Sequence, residues 1–371
     1  VNVLVWQWGR RGAGPRMAVT LADALRALPG VRAALSLSEQ AEILRGRAPP
    51  RCDLPVATYD GPAGFLWRLA QAPFALPGLT RRVRALGPDL AICAMPGPLD
   101  LLLVAALRRL RVKIVVIVHD ADPHPGDAVP LQMPLQRRLI RRADAIVALS
   151  GHVADRLRAQ GFGGRGGVPL IVTSHPPFVF GPPPPPPRAH GGPVRLLSFG
   201  RLRSYKGLDM LADALGRIGP RADLCLRVIG SGPESATLAR LRALPGVAVE
   251  NRWVPEDEIG ALLAWSDALV LSHTEASQSG VAAAAVAAGR WVVATRVGGL
   301  AEQLRAEPHA VLCEPDAASL ADALRHLLDA PPEGRQAASP PPDPLAAWRE
   351  TARALLERIE QALAASPAVA R

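Results

Sequence analysis

Lysine is almost missing from this 371-residue chain: Lys113 and Lys206 stand against 41 arginines. Aromatic residues make up only 4%, and the longest apolar stretches are short and broken by Arg, Gly or Pro. No run approaches the roughly 18 apolar residues needed to cross a bilayer as a helix, which excludes a sequence-encoded spanning segment. Val1–Trp6 has neither the basic leader nor the long apolar core of a signal peptide and reads instead as a first strand. The four cysteines, Cys52, Cys93, Cys225 and Cys313, show no paired spacing. That excludes a disulfide framework and a zinc-type cluster and gives a reducing, cytoplasmic expectation. What is present, 49% apolar and 20% charged residues, describes a globular chain long enough for two full cores.

The charge is unevenly placed. Residues 1–190 hold 24 basic and 12 acidic side chains, whereas residues 191–371 hold 19 and 21. Arginines cluster at 81, 82 and 84, at 108, 109 and 111, and at 137, 138, 141 and 142. Two readings stand: a face that meets anionic headgroups or an anionic substrate, and solvated helix faces enriched in arginine by coding bias. The clusters lack interleaved aromatics and no nucleic-acid motif accompanies them, which argues against nucleic acid.

Pro182–Pro187 is a run of six prolines flanked by glycine. Such a run spans roughly 19 Å as a semi-rigid polyproline II spacer and has no place inside a sheet. It puts a linker at 181–193, between a domain at 1–180 and another at 194–344, with 345–371 as a closing amphipathic helix that packs back on the first domain. In both halves short β-branched runs alternate with helical patterns. Strands are expected at 1–6, 90–93, 113–119 and 145–149, then at 194–199, 224–229, 247–250, 268–272, 291–295 and 310–313. Helices are expected at 18–28, 208–218, 233–243, 256–264 and 282–288. The pattern predicts an α/β protein made of two Rossmann-like, doubly wound parallel-sheet domains facing a cleft. Ligands of such sheets lie beyond the carboxyl ends of strands, so candidate residues are sought there.

Lys206 closes the segment Gly200-Arg201-Leu202-Arg203-Ser204-Tyr205-Lys206-Gly207 after an apolar run. A guanidinium and an ammonium five positions apart suit a diphosphate, one as a planar fork and the other as a point charge. A surface lysine left by chance is the plainer alternative. Gly12 and Gly14, in Gly9–Arg16, lie between a strand and a helix, where amides approach an anion closely. The spacing is not the dinucleotide fingerprint, and a tight turn needs glycine anyway. His119, followed by Asp120, Asp122 and His124, ends a buried run and is placed to touch substrate, or is satisfied by a local turn. His175 reads as structural. In the second half Gly230-Ser231-Gly232 suits a nucleotide's approach, and Trp253-Val254-Pro255 presents backbone to a base edge. The richest stretch is Glu275-Ala276-Ser277-Gln278-Ser279-Gly280-Val281: a carboxylate, three neutral hydrogen-bonding groups and a glycine before a helix. A carboxylate accepts from sugar hydroxyls and the helix start favours phosphate. A helix cap accounts for one serine of this cluster only.

From Gly200 onward the order and spacing of these pieces, continued by Val292–Thr295, Val297-Gly298-Gly299 and Glu302, resemble the retaining GT-B glycosyltransferases, in particular glycosyltransferase family 4. The first half is similar more loosely, through Gly12 and Gly14, His119-Asp120 and the stretch from Ala143 to Ser150. The resemblance implies a metal-independent, retaining hexosyltransferase without a cofactor. It would take a UDP- or GDP-linked sugar in the second domain and a glycan or lipid-linked acceptor in the first, in polysaccharide biosynthesis. The basic balance of residues 1–190 separately suggests a peripheral place at the inner face of the cell membrane. By the same resemblance Arg201 and Lys206 hold the diphosphate, Glu275 and His119 lie by the sugar, and Gly280 and Val281 lie near its phosphate. Gly12, Gly14, Gly230, Gly232, Val254, Ser277, Gln278 and Ser279 complete the donor contacts. One departure stands out. The family often carries a second glutamate eight positions after the first to hold the ribose, and this chain has Ala283 and Ala284 there. The Ser-Gln-Ser-Gly loop resembles a divergent branch of the family. A catalytically silent binding protein, and a nucleotide-sugar epimerase or hydrolase on the same architecture, are the rival readings.

Overall fold

The computed structural model describes residues 1–126, 131–164, 166–177, 179–180, 185, 190–329 and 343–365. The chain divides into two compact units. The first comprises Val1–Asp122, Val129–Ser174 and Leu345–Arg371; the second comprises Pro123–Ala128 and His175–Pro344. Thus the chain passes between units at 174–175, ahead of the proline run, and a six-residue excursion after Asp122 belongs to the second unit. The polyproline spacer expected over 182–187 lies outside the described residues except for Pro185, whose carbonyl accepts a 2.7 Å hydrogen bond from the Arg290 guanidinium.

The first unit contains β1 (Asn2–Gln7), α1 (Ala13–Arg26), β2 (Arg32–Leu37), α2 (Pro62–Leu86), β3 (Leu90–Cys93) and α3 (Asp100–Arg109). It continues with β4 (Lys113–Val118), α4 (Gln132–Ile140), β5 (Ala145–Ala148), α5 (Gly151–Ala159) and β6 (Leu170–Val172). These strands form one parallel sheet in the order β2-β1-β3-β4-β5-β6. The continuous run Ile114–Val118 is buried along its whole length, as a parallel strand covered by helices on both faces requires. α1 begins five residues earlier than the expected 18, because Pro15 sits in its first turn, where no backbone N–H needs an intrahelical partner. β2 and α2 were not anticipated. β2 opens on Arg and two alanines, and α2 carries Pro73 and Pro77 in its interior, both on its exposed side.

The second unit contains β7 (Val194–Phe199), α6 (Leu208–Ile218), β8 (Leu224–Gly230), α7 (Ala236–Arg242), β9 (Val247–Asn251) and α8 (Glu256–Trp265). Then follow β10 (Ala268–Leu271), α9 (Gly280–Ala287), β11 (Trp291–Thr295), α10 (Gly298–Leu304), β12 (Ala310–Cys313) and α11 (Ala317–Asp329). Its strands form a second parallel sheet, β12-β11-β10-β7-β8-β9. A final helix, α12 (Pro344–Ala365), buries Trp348, Leu355, Leu356 and Ile359 and runs in the first unit, where Arg358 donates to the Val172 carbonyl at 2.5 Å.

In both sheets the strand order reverses beside the unit's first strand, between β1 and β3 and between β7 and β10. That reversal opens a crevice at the carboxyl ends, where open α/β sheets take their ligands. In the second unit the crevice starts early. β7 pairs with β8 over six positions but with β10 only at Leu196↔Ala268 and Leu197↔Leu269. Beyond those pairs the two strands part.

Candidate active site

The loops that leave β7 and β10 meet at this second crevice. Ser198, Phe199, Arg201, Lys206, Ser272 and His273 all line one recess there. The first loop is pinned to the second through its backbone carbonyls: the Thr274 N–H donates to the Tyr205 carbonyl at 2.9 Å and the Ser272 hydroxyl to the Lys206 carbonyl at 2.9 Å. The approach is close enough to demand glycine. At Gly207, φ is +64° and a side-chain Cβ would lie 1.8 Å from the Ser272 carbonyl oxygen. At Gly230, which ends β8, a Cβ would lie 1.5 Å from the Gly200 carbonyl oxygen. Neither overlap can be relieved without moving main chain. Gly232 is held in turn by the Asn251 side chain, which accepts from its N–H and donates to its carbonyl, each at 3.0 Å.

Tyr205, buried under this loop, organises the charged groups. The Arg201 guanidinium carbon lies 5.9 Å from its ring centroid and the Lys206 ammonium 5.3 Å. Cations are attracted to an aromatic face at such distances, so the ring gathers two positive charges that would otherwise repel one another. The Lys206 ammonium also donates to His273 Nε2 at 2.7 Å. Burial, and next the Lys206 charge, push the His273 imidazole well below its ordinary range, so it is neutral and accepts at Nε2. Its proton therefore sits on Nδ1. Lysine has three N–H donors and His273 takes one, which fixes the direction of the others.

His124 stacks on the same tyrosine, 4.5 Å between centroids and 11° between planes. Its Nδ1 lies 3.0 Å from Glu275 Oε2. The sequence reading noted His124 only as a neighbour of His119, yet the excursion after Asp122 carries it into the second unit and onto Glu275. Glu275 itself is partly exposed. The loop behind it is held by a side chain that sequence reasoning missed: Gln303 of α10 accepts from the Ser279 N–H at 2.9 Å and donates to the Ser279 carbonyl at 3.0 Å. The Ser279 hydroxyl accepts from the Ala282 N–H at 3.2 Å, capping α9. The cap starts α9 at Gly280, two residues before the expected 282, so Gly280 and Val281 form its first turn. Ser277 is buried, Gln278 half-buried, and Val254 is buried beside the exposed Trp253. Ala283 and Ala284 are both 2% exposed, which leaves no room for a longer side chain without rearrangement.

In the first unit the candidates are arranged differently. His119 is buried at the end of β4 with Nε2 2.9 Å from the Ala94 carbonyl, so this nitrogen is the donor and carries the proton. Burial lowers its pKa and keeps the ring neutral. Gly12 caps α1 with φ +82° and open space where a Cβ would stand, while Gly14 packs on the Gln7 side chain. Gln7 Oε1 accepts from the Gly9 N–H at 2.9 Å. Arg10 lies over the Tyr59 ring at 5.2 Å. Near the β1/β3 reversal Asp100 is fully buried, accepts from the Gly97 N–H at 2.7 Å, and burial pushes its pKa up to about 7.

The comparisons with known proteins are specific. A family model described as "Glycosyl transferases group 1" matches residues 193–330, and one described as "Glycosyltransferase Family 4" matches residues 15–165. The family is that of the GT-B glycosyltransferases, and within it the chain resembles family 4. The 2-deoxystreptamine glucosyltransferase of Streptomyces kanamyceticus is 27% identical over 221 residues, covering 54% of this chain and 56% of the relative. Among solved structures, Anabaena Alr3699/HepE in complex with UDP and glucose aligns with TM-score 0.67 at 17% identity over 98% of both chains. Sucrose-phosphate synthase from Thermosynechococcus elongatus gives 0.66 at 18% identity, covering 98% of this chain and all of that one. These structural likenesses carry the GT-B fold. The matched regions span between 35% and 56% of the first three curated relatives. Among the described residues no helix is long and apolar enough to cross a membrane, and no cluster of His, Cys, Asp and Glu is arranged to hold a metal ion.

Proposed function

We propose that this protein transfers a hexose, with retention, from a nucleotide-sugar donor to a glycan or lipid-linked acceptor. One observation carries the reading. The β7/β10 crevice gathers Arg201, Lys206 and a His124-bound Glu275 around a single buried ring, a cationic pair beside a carboxylate. The donor diphosphate would lie against Arg201 and Lys206, with the amides around Gly230 and Gly232 and the start of α9 at Gly280 and Val281 completing its cradle. Glu275 would accept from sugar hydroxyls, flanked by Ser277, Gln278 and Ser279, and the base would run along Val254. Support for a UDP donor comes from the Anabaena structure, solved with UDP and glucose. With alanine at 283 and 284, the ribose would be held by another group.

The chemistry follows from the charges. As the anomeric C–O bond breaks, negative charge grows on the leaving diphosphate, and two fixed cations offset it without reorganising. Losing one such preorganised group typically costs about 3–4 kcal/mol, or 10²–10³ in rate. A donor phosphate oxygen takes the acceptor's proton as the new bond forms on the same face. The neutral His119 of the first unit would contact the sugar, and Gly12 and Gly14 would let that unit's first loop approach the donor. The first unit would also supply the acceptor contacts, and its basic surface would face anionic lipid.

Product detection with a panel of UDP- and GDP-sugars tests the reading. Lys206→Ala and Arg201→Ala should each lower kcat/KM by about 10²–10³ with the melting temperature kept. Unchanged rates would remove these residues from the mechanism. The buried Ala283 favours one rival, a silent binding protein; it predicts nucleotide binding with no glycosylated product. Donor turnover without any acceptor would point instead to a hydrolase or epimerase.

A further inference from the structure

Four of the eight large apolar side chains that stand exposed among the described residues lie on one helix, α2: Leu66, Trp67, Leu69 and Phe74. Phe74 is 86% exposed and Leu66 and Trp67 more than 60%. A monomeric protein rarely offers several such groups together without a use for them. The helix is buried at Leu79, Thr80 and Val83 near its end and packs partly on the core through Phe65 and Leu76, while Leu66, Trp67, Leu69 and Phe74 point outward. At 3.6 residues per turn, Leu66, Ala70, Pro73, Phe74 and Pro77 share one face, with Trp67 and Leu69 on its flanks. Arg81 and Arg84 continue that face at the carboxyl end, exposed and paired with no carboxylate among the described residues. The other two arginines turn back to the protein: Arg68 donates to the Thr58 carbonyl and Arg82 to the Pro55 carbonyl. Over its 25 residues α2 has four arginines and no acid.

An apolar stripe with tryptophan at its edge and arginines at its end has the chemistry of a helix lying in a membrane interface. A second copy of the chain fits worse. A parallel two-fold pairing of this face would set arginines against arginines, and an antiparallel one would lay them on the apolar end at Leu66 and Trp67, with no acid on the helix to meet them in either case. We propose that α2 is the membrane-docking element of this protein. Leu66, Trp67, Leu69 and Phe74 enter the headgroup–acyl boundary of an anionic bilayer, and Arg81 and Arg84 meet lipid phosphates. The inference rests on the reading of the basic first unit as lipid-facing and names the element responsible.

The test is co-sedimentation of the full chain with vesicles of phosphatidylcholine alone or mixed with phosphatidylglycerol. Wild type should bind the mixed vesicles, and Trp67→Ser with Phe74→Ser should lower that binding at least about tenfold with the melting temperature unchanged. Arg81→Gln with Arg84→Gln should weaken binding to the mixed vesicles and flatten its salt dependence. Lipids brominated in the acyl chain should quench wild-type fluorescence more than that of Trp67→Phe. Equal sedimentation of the serine variant, or a wild-type dimer that this variant converts to monomer, would overturn the proposal. UDP binding measured in parallel keeps the two readings apart. A serine variant that loses vesicles but retains UDP supports docking through α2. A wild-type protein that binds UDP and ignores vesicles overturns docking and leaves the donor site standing.

Discussion

Both units place a glycine-bearing loop at the point where their strand order reverses, yet the glycines do different work. In the second unit Gly207 and Gly230 let main chain touch main chain, and the result is a rigid cradle under Arg201, Lys206 and Glu275. In the first, Gly12 faces open space and Gly14 meets only the side-chain ends of Gln7 and Met95. The charged groups follow the same division. Tyr205 collects two cations and a histidine around one ring, whereas His119 and Asp100 of the first unit are turned into buried hydrogen bonds. Under the proposed function the rigid loop would hold the donor's charged end, and the looser first loop would only approach it.

The contrast is sharpest at the glycines. Gly230→Ala should destabilise by about 4 kcal/mol, because the added methyl collides with a backbone carbonyl that has nowhere to go. Gly12→Ala meets no atom and should cost only the penalty of its backbone, φ +82° and ψ −165°, a region that glycine alone adopts readily, about 1–3 kcal/mol. Denaturant titration of the two variants checks this, and equal losses would erase the distinction drawn here.

A second difference is readable in pH. Burial raises the Asp100 carboxyl from its ordinary value to about 7, so the folded state binds its proton more tightly than the unfolded chain does. Its stabilising contribution is complete below about pH 4 and is lost as pH rises through about 7. Asp100→Asn should flatten that dependence and raise stability at pH 8 relative to wild type by about 1–3 kcal/mol. Melting curves at pH 5 and pH 8 give the answer; a wild-type slope that survives the substitution would assign it elsewhere.

The smallest expected effect concerns His124. Removing it frees Glu275 and uncovers one face of Tyr205, without touching either cation. His124→Ala should lower kcat about tenfold, or about 1.4 kcal/mol, with little change in UDP affinity. A loss of UDP affinity equal to that of Lys206→Ala would show that His124 supports the diphosphate end instead of the carboxylate.

Much of this was legible in the chain. The runs Val194–Phe199, Trp291–Thr295 and Ala310–Cys313 coincide with strands to the residue, because short, mostly apolar runs bounded by turn residues fit a parallel sheet covered by helices. Arg201, Lys206 and Glu275 were singled out from residue type and position after strands, and the fold sets the first two at the Tyr205 ring and joins the third to that ring through His124. α2 escaped, since two prolines and an outward apolar face contradict the periodicity of an ordinary surface helix. His273 and Gln303 escaped for another reason: a lone histidine or glutamine carries no local signature of the partner it will find dozens of residues away.

The amino-acid order alone determined two parallel sheets and the loops that bear the cations, since strand burial and loop polarity are local properties of the chain. Only the tertiary structure decided that six residues after Asp122 leave the first unit to bring His124 onto Tyr205 and Glu275. Only it decided that Lys206 is oriented by a neutral, buried His273. Those outcomes depend on distances between residues far apart in sequence, and such distances are set by packing, which no short stretch of sequence records.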